Sequence, residues 1–247
     1  EAHGIIAWAD TAQACYENSL ALIGDASRYL NRLQADRPAF GGVRVPPRPA
    51  EERRTLAARI APLLRGEMRS ARRKLAHFTD DDETLEFVGS HDLERLAALG
   101  TSCPDHFLRT KIKPLVLDPG MFDSPEQIAA AFAAYRADYS GYYQRNAQAD
   151  SPAMRDDDPV IVLLPGIGRF AFSTDRTTAR IASEFYGNAI NVMRGAELIG
   201  GYLGLDEGEA FRIEYWSLEE AKLQRMPAPR PLAGKIALVT GAAGGIG

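Results

Sequence analysis

Two stretches of this 247-residue chain carry residue types and spacings suited to small-molecule chemistry. The first is Gly100 to Lys113, GTSCPDHFLRTKIK. The hydroxyls of Thr101 and Ser102, with the free amides of a helix start, can bind an anion, and Arg109, Lys111 and Lys113 add positive charge. Cys103 and His106 lie three apart on one helical turn and read as a thiol–imidazole pair or as two metal ligands. The plainer reading is a capped helix with exposed basic residues. The second stretch closes the chain, LAGKIALVTGAAGGIG. Ile236 to Val239 read as a buried parallel strand, followed by Thr240 and glycines at 241, 244, 245 and 247. One glycine permits a sharp turn, another lets the backbone approach a pyrophosphate, and the next helix start supplies amide donors. The plainer reading here is a Gly-rich flexible tail. His77 and His91 have no partner pattern and read as structural. His3 alone reads as a core or surface histidine.

The elements that must position these groups follow from the hydrophobic pattern. Residues 1–35 read as strand, tight turn and long helix, with Asp10 or Thr11 as cap and Leu20, Ile23, Ala26, Leu30 and Leu33 at helical spacing. Asp36 to Pro49 holds four prolines and two glycines and reads as a linker or strap, the first domain boundary. A helix starts near Pro49, with Pro62 expected to kink or shorten it. Arg73 to Phe78 and Glu83 to Val88 read as two strands around the turn Asp80-Asp81-Asp82. Ser90 reads as the cap of a short helix from Asp92 to Leu99, ended by Gly100, and a strand follows at Pro114 to Leu117. Ser124-Pro125-Glu126 starts a helix that runs to about Asn146. Val160 to Leu164 and Arg169 to Phe172 are strands, and a long helix runs from Asp175 to about Leu198. Glu207 to Trp216 is a short helix, and Ser217 to Glu220 reads as a capping box. Glu214-Tyr215-Trp216 reads as an aromatic packing or subunit contact.

An internal echo adds to this. Gly4 to Thr11 and Gly168 to Asp175 align without gaps: Gly, two residues, Ala, large aromatic, small residue, polar cap, then a long helix. The middle region, 50–226, therefore reads as a diverged copy of the fold whose tail is residues 1–35. Ile167 stands where the first copy has His3.

Composition narrows the function classes. Hydrophobic content of 45% and charged content of 25% fit a globular chain with a sizeable core. A net charge of −4 argues against nucleic acid as the main partner, which needs a clustered basic face. The basic run Arg65 to Lys74 reads as a solvated helix face. No apolar run approaches the ~18 residues of a membrane span. The two cysteines, Cys15 and Cys103, exclude a disulfide framework and suit a reducing cytoplasm.

Three sequence features resemble known families. The terminal Thr-Gly-x-x-x-Gly-x-Gly after a hydrophobic strand resembles the opening of the short-chain dehydrogenases. His3-Gly4 in HGIIAWADTAQACYENSL resembles the late His-Gly motif of class II sugar-phosphate aldolases, whose histidine helps ligate a zinc that polarises the substrate carbonyl. Together with GTSCPDHFLRTK, FYGNAINVMRGAE and EYWSLEEAKLQRMP, the whole chain resembles the central portion of the bifunctional rhamnulose-1-phosphate aldolase/short-chain alcohol dehydrogenase family. The resemblance implies cleavage of rhamnulose 1-phosphate to dihydroxyacetone phosphate and lactaldehyde, Zn2+ for that half, and NAD or NADP for lactaldehyde oxidation or reduction. By position it makes His3 a metal ligand and Thr240, Gly241, Gly245 and Gly247 cofactor contacts. Thr101, Ser102, His106, Arg109 and Lys111 are the candidate phosphate contacts. The other zinc ligands and the dehydrogenase Ser, Tyr and Lys are absent from these residues, so the chain reads as a piece that catalyses neither reaction alone.

The expected architecture is α/β, with class II aldolase-like αβα layers leading into the first strand of a Rossmann domain. Residues 1–36 are the end of an aldolase-like domain, 37–49 a linker, 50–226 the middle domain, 227–231 a second linker and 232–247 the start of the dehydrogenase. A sugar phosphate and a nicotinamide cofactor are the expected partners, within a cytoplasmic homo-oligomer. The alternative is a non-catalytic scaffold, or a sugar-phosphate-binding domain, joining two enzymes.

Overall fold

The structure, a computed structural model, describes residues 5–34, 38–225, 231–232 and 235–245. Four short strands form one sheet in the order β1-β4-β3-β2. They are β1 (Leu75–Thr79), β2 (Leu115–Val116), β3 (Ile161–Leu164) and β4 (Gly168–Ser173). The β3–β4 hairpin is antiparallel, β1 pairs antiparallel with β4, and β2 runs parallel to β3.

Side-chain alternation along these strands sets the layers. Ile161 of β3 sits opposite Ala171 of β4, and Val162 opposite Phe170. Ile161, Leu163 and Ala171 face a core shared with Phe87, Leu96, Tyr186, Ile190 and Met193. Val162, Leu164, Phe170 and Phe172 face the other core, with Ile60, Leu64, Ile128 and Phe132. Helices α3 (Asp82–Val88), α4 (Leu93–Leu99) and α7 (Arg176–Ile199) supply the first face. The second is covered by α2 (Ala50–Glu67) and α6 (Pro125–Asn146). The result is a three-layer αβα domain. A third, aromatic cluster joins the end of α6 to α8 (Glu207–Glu214) through Tyr139, Tyr142, Phe211 and Tyr215. The remaining helices are α1 (Ala12–Gln34), α5 (Phe107–Thr110) and α9 (Ser217–Gln224).

Several expectations are corrected. Glu83 to Val88 is helix, not strand. The Asp81 carboxylate accepts from the Thr84 amide, and Asp82 and Glu83 sit in the first turn, where acids favour a helix start. Strand β1 therefore pairs with the distant β4 instead. Residues 5–9 form no strand, and Ile5, Ile6 and Trp8 are exposed. Pro62 lies inside α2 without ending it. Asp92 occupies the N-cap of α4, while the Ser90 hydroxyl donates to Phe87 O. The N-cap of α9 is Trp216, with no side-chain cap bond, so the Ser217 capping box does not form.

The stretch expected as a linker packs into the domain. Phe40 is 2% exposed and meets Phe87 edge-on at 5.2 Å. Ile236 to Val239 form no paired strand among the described residues, and Ile236 and Leu238 are exposed. Neither a Rossmann strand nor a second copy of the fold is shown among the described residues.

Candidate functional site

The Gly100 to Lys113 segment folds into a closed loop. Gly100 ends α4 at φ 88, a left-handed value, and a Cβ there would lie 2.9 Å from the Ile112 side chain. The Thr101 amide donates to Ile112 O at 2.8 Å, and the Tyr202 hydroxyl donates to Gly100 O at 3.1 Å. A 3-10 turn, Pro104–His106, leads into α5. Closing the loop this way sends its candidate side chains in three directions.

Thr101 is buried, and the hydroxyl oxygens of Thr101 and Ser102 are enclosed without a hydrogen-bond partner among the described residues. The His106 ring stacks on Phe185 of α7, with centroids 4.1 Å apart and planes 7° apart. Cys103 is a half-buried free thiol. Arg109 is exposed and lines a cleft bordered by Phe185 and Trp216. Lys111, by contrast, turns inward.

Lys111 sits at φ 59, left-handed for a non-glycine residue, at the C-terminus of α5. Only 7% of it is exposed. Its ammonium donates to Asp156 O and lies 3.7 Å from the Tyr139 ring centroid, a cation–π contact. Beyond that ring is Glu214, fully buried at 0% exposure. The Tyr139 hydroxyl donates to Glu214 Oε1 at 2.6 Å, and the Tyr142 hydroxyl donates to Oε2 at 3.1 Å. Because Tyr139 has spent its one proton, Tyr215 must donate to the Tyr139 oxygen at 2.7 Å. Tyr215 in turn accepts from the Arg155 amide at 3.2 Å, and the Arg155 guanidinium donates to Glu214 O at 2.9 Å. Every hydroxyl in this chain points its proton toward the carboxylate.

The electrostatics follow from that geometry. Burial pushes Lys111 down to about 8, opposed by the field of Glu214. Burial also pushes Glu214 up, opposed by the Tyr139 hydrogen bond and the Lys111 charge. Tyr139 and Tyr142 are raised by burial first and by Glu214 second. Beside the network, between Tyr135, Tyr139, Tyr142 and Glu207, is a cavity of about 30 Å³. That holds a water or two and no sugar phosphate.

Three further buried charges, Arg136, Asp158 and Arg169, are tied up in the same manner. Arg136 donates to Asp158 Oδ1 at 3.2 Å and to Glu67 O at 3.1 Å, while Asp158 Oδ2 accepts from the Ser70 amide at 2.9 Å. Arg169, 4% exposed, donates to Ser183 Oγ at 3.1 Å and to Thr84 Oγ1, with Asp81 Oδ2 at 3.8 Å. It binds β4 to α3 and α7. Burial, and next the Arg169 charge, hold His77 low.

The fit to a metal is poor among the described residues. The one grouping with ligand spacing is Asp156, Asp157 and Asp158, within 4.8 Å of one another. Its first and third members are already engaged, Asp156 with Lys74 at 2.5 Å and Asp158 with Arg136. Burial pushes Asp156 up, but Lys74 and the Asp158 amide outweigh it and hold the carboxyl low. His3, the expected zinc ligand, lies outside the described residues. Gly241 is left-handed at φ 68 and accepts from the Gly244 amide at 2.8 Å. Thr240 to Gly245 are exposed, and no helix start follows among the described residues. Gly247 lies outside them.

Sequence reading grouped Lys111 with the surface cations and missed its link to Glu214. One signal was available. Tyr135, Tyr139, Tyr142 and Tyr143 recur at i, i+4, i+7 and i+8 on α6, an aromatic face whose hydroxyls need buried partners. Arg136, Asp158 and Arg169 carry no comparable pattern.

A small mixed sheet between helical layers, with its charged groups paired inside the fold, defines an α/β domain. Residues 55–223 match the family described as aldolase class II, second domain, and the chain belongs to that family. It is also similar to the "Uncharacterized oxidoreductase YuxG" of Bacillus subtilis (strain 168), 33% identical over 252 residues. That similarity covers 100% of this chain and 36% of the relative, so the chain spans just over a third of its length. No solved structure matches. Among the described residues, no helix is long and apolar enough to cross a membrane.

Proposed function

We propose that this chain is the middle of a bifunctional enzyme that cleaves rhamnulose 1-phosphate to dihydroxyacetone phosphate and lactaldehyde, and oxidises or reduces the lactaldehyde with NAD or NADP. One observation carries the reading. An aldolase class II second domain runs, within one polypeptide, into LAGKIALVTGAAGGIG, and a relative named as an oxidoreductase aligns with both parts. In the whole protein His3 is proposed as one ligand of a Zn2+ that acts as Lewis acid in the aldol step, and Thr240, Gly241, Gly245 and Gly247 as contacts of the dinucleotide. The Gly100 to Lys113 loop is proposed to hold the sugar phosphate through Thr101, Ser102, His106 and Arg109. Lys111 lends its field from behind the loop.

The test uses the full-length protein. Dihydroxyacetone phosphate should form from rhamnulose 1-phosphate only with a divalent metal present, and His3→Ala should sharply lower metal content. No cleavage at saturating metal and substrate refutes the aldolase assignment. Unchanged metal content in His3→Ala refutes the ligand role.

A second reading makes residues 50–226 a scaffold between two enzymes. It is favoured by Ile167, fully buried at the position that aligns with His3, and by the pairing of the domain's buried charges with one another. Deleting 50–226 from the full-length protein would then leave both activities intact but uncoupled. Loss of either activity counts against it.

A further inference from the structure

A cleft of about 570 Å³ lies between α5, α7, α8 and α9, and nothing in the proposed reactions uses its apolar walls. Those walls are Leu108, Phe185, Ile213, Trp216 and Leu223. Phe185 is held rigid by its stack on His106. Trp216 is 50% exposed, a large aromatic surface that the fold leaves open beside Phe185's cleft. Three charged groups line the same space. Lys222 and Glu219 pair with each other, which leaves Arg109.

Arg109 makes no hydrogen bond or ion pair with any described residue. The opposing charge in its field is Asp175, whose carboxyl is held low chiefly by the Thr178 amide and only slightly by Arg109. Meanwhile α9, the outer wall, contributes no buried residue to the core and can settle onto an occupant. The cleft's volume lies within the ~300–1,000 Å³ usual for small-molecule sites, and its lining, apolar with one cation that no described residue engages, is of the usual kind. A sugar phosphate is a poor match, because these walls offer its hydroxyls few partners.

We propose that this cleft binds a small amphipathic anion. A flat apolar body lies against Phe185, Ile213 and Trp216, and its single carboxylate or phosphate pairs with the Arg109 guanidinium. The planar fork of arginine suits either head group bidentately.

The probes are 2-naphthoate, neutral 2-naphthamide and inorganic phosphate, titrated into the full-length protein by calorimetry and tryptophan fluorescence. No metal, sugar phosphate or nicotinamide cofactor is added, so the outcome is independent of the proposed reactions. We expect one saturable naphthoate site, naphthamide about tenfold weaker, and phosphate displacing naphthoate only at concentrations at least about tenfold higher, because it shares the guanidinium but not the apolar walls. Arg109→Gln should weaken naphthoate by about tenfold and leave naphthamide unchanged. Leu223→Arg, on the helix that contributes nothing to the core, should weaken both aromatic probes. Equal affinity for the two aromatic probes, or naphthoate binding unchanged in Arg109→Gln, overturns the proposal. No naphthoate binding to the full-length protein also overturns it.

Discussion

The buried pair Lys111 and Glu214 makes a quantitative demand on stability as a function of pH. In the unfolded chain Lys111 titrates at its ordinary value near 10.5, and in the folded protein at about 8. A cation whose pKa falls on folding binds more protons in the unfolded state across that window, so stability rises with pH through it. Integrated from about pH 7 to about pH 9, the linkage relation gives a gain of roughly 1.3 kcal/mol. The tyrosines act in the opposite direction. Burial raises Tyr135, Tyr139, Tyr142, Tyr186, Tyr202 and Tyr215, so the unfolded chain loses those protons first. By about pH 9 these six remove roughly 0.3 kcal/mol. The native protein should therefore gain about 1 kcal/mol over this range, or about 2–4 °C in Tm. Lys111→Met should instead lose a few tenths. Glu214, Asp156 and Asp157 face Lys111, and so does Lys74. Removing the ammonium pushes Glu214 further up, which can only steepen the variant's decline. Urea unfolding of both proteins at several pH values is the assay. Parallel slopes for native protein and variant would refute the assignment of the buried proton to Lys111.

Three other substitutions test the packing. Glu214→Ala strands the Tyr139 and Tyr142 hydroxyls without an acceptor and should cost roughly 2–5 kcal/mol in urea unfolding, whereas Glu214→Gln restores one acceptor and should cost about half as much. Equal losses would mean the hydrogen bonds contribute little. Asp158→Asn leaves the buried Arg136 uncompensated, at roughly 3–5 kcal/mol, and the double change Arg136→Met with Asp158→Leu should recover most of it. Gly168→Ala places a Cβ 2.5 Å from Thr79 O at a residue with φ 145, so it should pry β1 from β4. A loss of roughly 2–4 kcal/mol is expected, and a Tm within error of the parent would contradict the register.

What the sequence shows of this fold follows the range of the interactions involved. Helix α6 begins at Ser124 because that hydroxyl accepts from the Gln127 amide three residues on, and α7 begins at Asp175 by the same bond to Thr178. Both caps are local and both were legible. So was β3, a run of four apolar residues buried on both faces. At Glu83 to Val88 the apolar residues Leu85, Phe87 and Val88 suit a strand or a helix alike. The Asp81 cap and the two acids behind it, equally local, decide that stretch. The partner of β1 was not legible, because the pairing of Leu75 with Ser173 spans nearly a hundred residues and has no local signature. For the candidate site, the cations of Gly100 to Lys113 were visible as a group. Their separation was not, since only the left-handed turn at Lys111 and the carbonyl of Asp156 send one inward while Arg109 stays outside.

That separation bears on where this domain can act. A carboxylate that does chemistry keeps a lone pair facing a space a substrate can enter. Glu214 has neither: both oxygens are taken by tyrosines, and the adjoining cavity admits only water. Asp158 is occupied by Arg136 and the Ser70 amide, and Arg169 by Ser183 and Thr84. Glu214 and Asp158 fasten α6 to α8 and to the 155–158 loop, Arg169 binds β4 to α3 and α7, and a substitution among them should register in stability before activity. Arg109 differs on each count. It is exposed and beside a cleft large enough for a ligand, and no ion pair among the described residues holds it. If residues 50–226 contribute a recognition event of their own, the cation to follow is Arg109, and Lys111, two residues on, is its structural control.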